Sequence, residues 1–345
     1  MTDDRSRTAT EARLRPLARA LRRAARRRRH VSWSRAEEDA ALLAARLREA
    51  LPAADLAAAR FRGVPRGGLV VVAMLAYHLG VTHERLRDDG DGDGAVTGGP
   101  LVLVDDCALS GLRLHQEVAR LADEPRLVVA HLYSPRELRE AVLAAEPRVE
   151  ACVAAHDLAD LSAEVYPDGE EREAWRQRWR QRLGDDGRYW LGMPAPVAFA
   201  WGEPDRPFWN PVTGAVEDGW RFEPPHRSLK SRARLAAGLP DGVVGPAAPR
   251  SAWHLADGVV WGEFDGVVWL CAPGDETAGD GEVFSLDGSA ALAWRGLVVG
   301  GVETASAALA AHFEIDPGTA RRDAEALAAE LAAAGLLTSP AAEEV

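Results

Sequence analysis

Leu101-Val102-Leu103-Val104-Asp105-Asp106-Cys107-Ala108-Leu109-Ser110-Gly111-Leu112-Arg113-Leu114 decides the fold of this 345-residue chain. Four consecutive apolar residues after Gly-Gly-Pro read as a strand buried on both faces, the kind found inside parallel sheets. Unpaired buried charge is too costly to persist. Asp105 and Asp106 are therefore expected where the strand emerges at its carboxyl edge, the ligand crevice of open α/β sheets. Ser110-Gly111 follows at the turn, and Leu112 to Ala122 has helical spacing. Free N–H groups and the macrodipole at such a helix start favour a phosphate.

The flanking segments repeat the alternation of strand and helix. Upstream, Ser34-Arg35-Ala36-Glu37 is a capping box that opens a helix through about Leu51, closed by Pro52. Phe61-Arg62-Gly63-Val64-Pro65-Arg66-Gly67-Gly68 then leads into the apolar helix Leu69 to Leu79. Its glycines let backbone N–H groups approach an anion, and Arg66 adds a fixed positive charge. Downstream, Leu127 to Tyr133 reads as a buried strand. Ser134-Pro135-Arg136-Glu137 opens a helix, and Val149 to Ala155 is a further strand. His156 and Asp157, just past it, are positioned for acid–base work or acceptor contact, or for a structural role. The expected fold class is α/β, a parallel sheet covered by helices.

The order of apolar strand, Asp-Asp, three residues and Ser-Gly resembles the ribose-phosphate motif of type I phosphoribosyltransferases. The resemblance implies an enzyme that uses phosphoribosyl pyrophosphate (PRPP). Asp105 and Asp106 would hold the ribose hydroxyls as the catalytic pair. Ala108, Leu109, Ser110, Gly111, Leu112 and Arg113 would wrap the 5′-phosphate, and Arg66, Gly67 and Gly68 would receive the pyrophosphate. Mg2+ would be carried by PRPP oxygens near Asp105 and Asp106, without a direct protein ligand set. The family usually continues Thr-Gly-Gly-Thr, whereas this chain has Ser110-Gly111-Leu112-Arg113. Arg113 is expected to replace the lost donors with a bidentate guanidinium. The acidic, glycine-rich stretch Asp88 to Pro100 falls where the family has a loop that closes over the site. The aromatic and proline-rich stretch near 190–230 falls where the family carries an irregular hood.

From Ser231 to Arg250 the composition turns to Ala, Gly and Pro, as in a linker, here set at 231–252. A second domain is expected over 253–340. Val259 to Phe264, Val267 to Cys271 and Glu282 to Leu286 read as strands, the first two joined by an Asp265-Gly266 hairpin turn. Three helices follow, about Gly288 to Val298, Val302 to Phe313 and Pro317 to Ala334, the last with Asp316 as N-cap and Gly335 as stop. This pattern, with Phe284-Ser285-Leu286-Asp287-Gly288-Ser289-Ala290, Trp294 and Ala334-Gly335-Leu336-Leu337, resembles the PqqD-like peptide chaperones. These are the RiPP recognition elements, small α+β winged-helix domains that bind the leader of a ribosomal precursor peptide as an added strand. By that resemblance the leader peptide would meet Val283, Phe284, Leu286, Arg321, Ala324 and Leu331. A DNA-binding winged helix is the competing reading. Residues 253–345 hold three Arg, no Lys and sixteen carboxylates, a balance that repels DNA phosphate.

Charge divides the rest of the chain. Residues 1–35 carry twelve Arg against Asp3, Asp4 and Glu11, while the whole chain is at −12. This arm reads as a helix docking on an acidic body, ahead of a nucleic-acid role. Residues 36–230 then form the phosphoribosyltransferase-like domain. No run in the sequence suggests a membrane span, and Cys107, Cys152 and Cys271 are scattered without disulfide or metal spacing, which fits a reducing cytoplasm. Lys230 is the only lysine among 41 basic residues. Two other functions fit the same residues: a nucleobase phosphoribosyltransferase with a regulatory C-terminal domain, and a non-catalytic nucleotide-binding peptide adaptor. The sequence carries no signal for oligomeric state.

Overall fold

The computed structural model describes residues 21, 25–86, 98–183, 188–204, 208–210, 215–217, 220–243, 253–264, 266–272 and 282–339. The acidic stretch expected to form a closing loop lies, over 88–97, outside them, as does Asp265 of the hairpin turn. The chain divides into two units, Val31–Ala195 and Met1–His30 with Pro196–Val345.

In the first unit a four-stranded parallel sheet has the order β1 (Arg60–Gly63), β2 (Leu101–Cys107), β3 (Leu127–Ser134), β4 (Val149–Asp157). All seven residues of β2 are buried, as the continuous apolar run demands of an inner strand. Alternation then sorts its side chains. Leu101 and Leu103 pack with Leu127 and Val129 of β3, with Leu114 and Val118 of helix α3 (Leu112–Arg120), and with Leu138 and Val142 of helix α4 (Arg136–Ala145). The opposite face carries α1 (Trp33–Ala50) and α2 (Gly67–Leu79), which pack on each other and on the strands. Ser32, rather than Ser34, caps α1, its Oγ accepting from Arg35 N at 3.2 Å. A polar helix, α5 (Gly169–Leu183), is capped by Asp168 and buries Trp175 and Trp179 in edge contact.

In the second unit the described residues of 196–230 include paired strands where an irregular cap was expected. Phe208–Asn210 pairs antiparallel with Ala215–Glu217, and the segment groups with the C-terminal part of the chain instead of the parallel sheet. The expected linker is also shorter. Ser228 caps a helix α6 (Leu229–Ala236), and Leu235 and Leu239 are buried in the C-terminal core. Apolar residues at i and i+4 inside an Ala/Gly-rich stretch are enough to dock one turn of helix.

The C-terminal sheet is antiparallel in the order β5 (Val260–Phe264), β6 (Val267–Cys271), β7 (Val283–Leu286). It is followed by α7 (Gly288–Phe313) and α8 (Pro317–Ala333). Helix α7 is long and apolar enough to cross a membrane by length and composition, which the sequence reading did not anticipate. It breaks at Gly301 (φ 82°, ψ −167°), which divides it where the two sequence-read helices meet. Its buried face, including Trp294 and Leu297, packs on α8 and on the sheet residues Trp261, Val268, Leu270 and Leu286. The other face of the sheet is covered too. Val260, Trp269 and Cys271 pack with Trp220, Phe222 and two residues of the N-terminal arm, Leu21 and Ala25. Arg28 pairs with the fully buried Glu223 at 3.2 Å and donates to Phe222 O, so the described part of the arm docks on this unit.

Candidate active site and peptide edge

Alternation at the end of β2 sends the two carboxylates to opposite faces of the sheet. Asp105 (6% exposed) turns toward α3, where Arg113 NH2 donates to Oδ2 at 2.8 Å and Oδ1 at 3.0 Å. Asp106 (9% exposed) turns toward the start of α2, against Gly67. Burial, reinforced by the neighbouring Asp106 charge, holds the Asp105 carboxyl well above the usual carboxylate range, with Arg113 opposing. The acidic pair thus straddles the strand end.

The two stretches singled out in the sequence meet here. A Cβ on Gly67 would stand 1.7 Å from Asp106 Oδ2, and one on Gly68 would stand 2.2 Å from the Val104 carbonyl oxygen. Only glycine allows the start of α2 to sit this close to β2. Among the described residues Arg66 is exposed and has no ion-pair partner, so its guanidinium is free to meet an anion at this end of the sheet.

The loop expected to hold the 5′-phosphate is built as a turn into α3. Ala108 N donates to Tyr133 O at 3.1 Å, which fixes the loop to β3. Gly111 takes φ +80°, and a Cβ there would meet Tyr189 Cδ2 at 2.7 Å and Leu138 Cδ1 at 2.9 Å. Trp190 N donates to Ser110 O at 3.3 Å, so residues 189–190 lie against this loop. Arg113, expected on the phosphate, is instead engaged by Asp105, because a buried carboxylate one strand-end away is the nearest uncompensated charge. The Cys107 thiol is buried and pushed well up, by burial first and then by Asp106 and Asp105, which makes it a packing group.

A second cluster at the same end of the sheet was not legible in the sequence. Asp39 of α1, 1% exposed, accepts from Arg35 Nε at 2.9 Å and from the Tyr133 hydroxyl, and its Oδ1 lies 2.7 Å from His156 Nε2. The His156 and Tyr133 rings stack at 5.1 Å. Only His156 had been singled out. Its partners lie 117 and 121 residues away, on a helix face that reads as ordinary amphipathic packing. Asp157 pairs with Arg139 at 2.5 Å. Among the described residues no group of three or more His, Cys, Asp or Glu side chains could hold a metal ion.

In the C-terminal unit the site is an edge. Ala272 N donates to Glu282 O at 3.1 Å, so the hydrogen-bonded pairs of β6 and β7 are those of Glu282, Phe284 and Leu286. Val283 and Ser285 therefore direct their N–H and C=O groups away from β6, toward an edge that no described strand covers. The far edge, β5, is different: Arg221 and Trp261 exchange both backbone hydrogen bonds, at 2.6 and 3.0 Å. Of the side chains expected to touch a leader, Val283 and Phe284 are half-buried at this edge. Leu286 (8% exposed), Ala324 (0%) and Leu331 (4%) belong to the core, because α8 turns its small-residue face onto α7. Arg321 is exposed but tied to Glu303 at 2.5 Å and Glu325 at 2.9 Å.

Comparison with curated proteins returns no match. Residues 272–337 match the family described as coenzyme PQQ synthesis protein D (PqqD), a span that takes in β7 with its open edge, α7 and α8.

Proposed function

We propose that the chain matures a ribosomally made precursor peptide, holding its leader on the β7 edge and transferring a phosphoribosyl group from PRPP at the carboxyl end of the parallel sheet. The observation that carries the transferase half is the contact of Gly67 with Asp106. Two sequence stretches with the signatures of a pyrophosphate loop and a ribose-binding acidic pair are separate in sequence and adjacent in space. The peptide half rests on the PqqD match and on the outward backbone groups of Val283 and Ser285.

In this reading PRPP would bring Mg2+ on its own oxygens, near Asp105 and Asp106, and the ion would neutralise charge on the departing pyrophosphate. Asp106 would orient the ribose, and Asp105, with Arg113 released to the phosphate, would favour positive charge at the anomeric carbon. A tethered leader presents the core residue at an effective concentration in the millimolar range, so the catalytic end needs little affinity of its own.

Calorimetric titration of PRPP with Mg2+ into the full chain tests the transferase half. Binding that disappears in Asp105→Asn/Asp106→Asn supports it; no binding at millimolar PRPP removes it and leaves a peptide-binding protein. The Asp105–Arg113 pair favours one second reading, a non-catalytic adaptor, because it occupies the guanidinium that the phosphate would use. Binding of PRPP without pyrophosphate release, with peptides from neighbouring open reading frames present, selects it.

A further inference from the structure

We infer that His156 is the base that takes the proton from the attacking group, with Asp39 as its positioning residue; the inference rests on the transferase reading. The registers β2–β3 and β3–β4 align Cys107, Tyr133 and His156 in one row across the strand ends. Two interstrand spacings of about 4.8 Å put the His156 backbone roughly 10 Å from that of Cys107, the residue after Asp106. That gap suits a sugar and its incoming acceptor. Asp106 meets α2 and His156 meets α1, helices that pack together on one face of the sheet.

The cluster does more than pin α1 to the sheet. Asp39 is already satisfied by Arg35 and the Tyr133 hydroxyl, and it holds His156 through Nε2 alone. The ring is 23% exposed, and Nδ1 has no partner among the described residues and is not buried. Two groups contact Nε2, Asp39 Oδ1 at 2.7 Å and Arg35 NH2 at 3.3 Å; the shorter contact directs the Nε2 proton to the carboxylate, and Nδ1 then carries the lone pair. The groups facing the ring are Arg35 and Asp39 of α1 and Tyr133 of β3; the Arg139–Asp157 pair closes the next position. In the step assigned, an acceptor H–X attacks the anomeric carbon of PRPP. The bond to the pyrophosphate oxygen breaks with its electron pair, the X–carbon bond forms, and the proton from X goes to Nδ1.

The test compares two acceptors in the full chain with Mg2+ and PRPP: water, which must lose a proton, and azide, which has none to lose. His156→Gln keeps an amide donor toward Asp39. It is expected to bind PRPP as the wild type does and to release pyrophosphate in azide at the wild-type rate. Its water-dependent release should fall at least 100-fold, the low end for general base catalysis, and lose the acid limb of its pH profile. Equal losses with both acceptors, or none with either, overturn the assignment while PRPP binding keeps the transferase reading intact. A wild type that binds PRPP yet releases no pyrophosphate with water or azide overturns it too. A wild type that binds no PRPP overturns both.

Discussion

The parallel sheet and the antiparallel sheet of this chain finish in opposite ways. The first ends in buried charge at its carboxyl edge: Asp105 meets the Arg113 guanidinium, Asp106 the start of α2, and Asp39 the Arg35 guanidinium, the Tyr133 hydroxyl and the His156 ring. The second is packed on both faces by apolar side chains and, among the described residues, leaves the N–H and C=O groups of Val283 and Ser285 without a neighbouring strand at one edge. A charged strand end selects a small polar molecule by the geometry of its donors. An open backbone edge accepts any extended peptide and reads only its alternate side chains. The difference implies that substitutions should act on the first region through close packing and protonation, and on the second through the hydrogen-bonding pattern of one strand.

Gly68→Ala should have the largest effect. The new methyl would lie 2.2 Å from the Val104 carbonyl oxygen, a backbone atom that cannot rotate away, so α2 must lift from β2. The expected loss is about 3 kcal/mol in urea unfolding, the upper range for overpacking. Gly169→Ala, whose nearest atom would be Arg172 NH2 at 3.9 Å, should stay within about 0.5 kcal/mol of the wild type. Equal behaviour of the two variants would mean that the loop does not press on the acidic strand end.

Acid should come next. His131 of β3 is 1% exposed and paired in register with Asp105; burial, helped by the Arg139 and Arg113 charges, lowers its pKa to about 3. The folded state therefore keeps the ring neutral. Its contribution is complete above the unfolded value near 6.5 and is lost as pH falls from there toward 3. At pH 5 the loss is about 2 kcal/mol, and His131→Gln should flatten that part of the stability–pH curve. His226 in the other unit is also lowered to about 3, by burial and then by the stacked His254, but it is only half-buried. Both of its ring nitrogens are nevertheless closed to solvent, so His226→Gln should flatten the curve over the same pH range.

What the sequence made legible follows the same division. The run Leu101–Val104 and the acidic pair after it announced the parallel sheet and the position of the two carboxylates at its carboxyl edge, because continuous apolarity and abrupt charge are local signals. The strands and helices after Val259 were equally readable from their turn residues and the Asp316 cap. Asp39, Tyr133 and Arg35 were not, since each looks like an ordinary residue of its element until α1 folds onto β3 and β4. Arg113 was assigned to a phosphate because its competition with Asp105 exists only in space. Ala324 and Leu331 were assigned to a peptide because the pattern of α8 shows an apolar face without saying which neighbour covers it.

Ser285→Pro should then separate edge from core. Its N–H points away from β6, where proline is tolerated on an edge strand, so the fold should survive while one hydrogen bond to an added strand is lost. Affinity for leader peptides from neighbouring open reading frames should fall about tenfold, some 1.4 kcal/mol. Phe284→Pro removes a donor that faces β6 and should disrupt the sheet itself. If Ser285→Pro leaves peptide affinity unchanged, the leader does not pair with β7.

The smallest effect expected has the opposite sign. Asp105 is a carboxyl whose pKa in the folded chain is raised, by burial first and by Asp106 second. Its contribution to stability is therefore complete below the unfolded value near 3.8 and is lost as pH rises from there through the folded one, so at neutral pH the buried carboxyl costs the fold stability. Asn at this position removes that charge and still offers Arg113 an acceptor oxygen. Asp105→Asn should raise stability by about 1 kcal/mol at pH 7, the scale gained when strain at a functional site is relieved. The gain should shrink as acid protonates the wild-type carboxyl. A gain confined to neutral pH identifies Asp105 as a group held for chemistry at the expense of stability. A loss at pH 7 would instead make the Asp105–Arg113 pair a structural clamp, and would favour the adaptor over the enzyme.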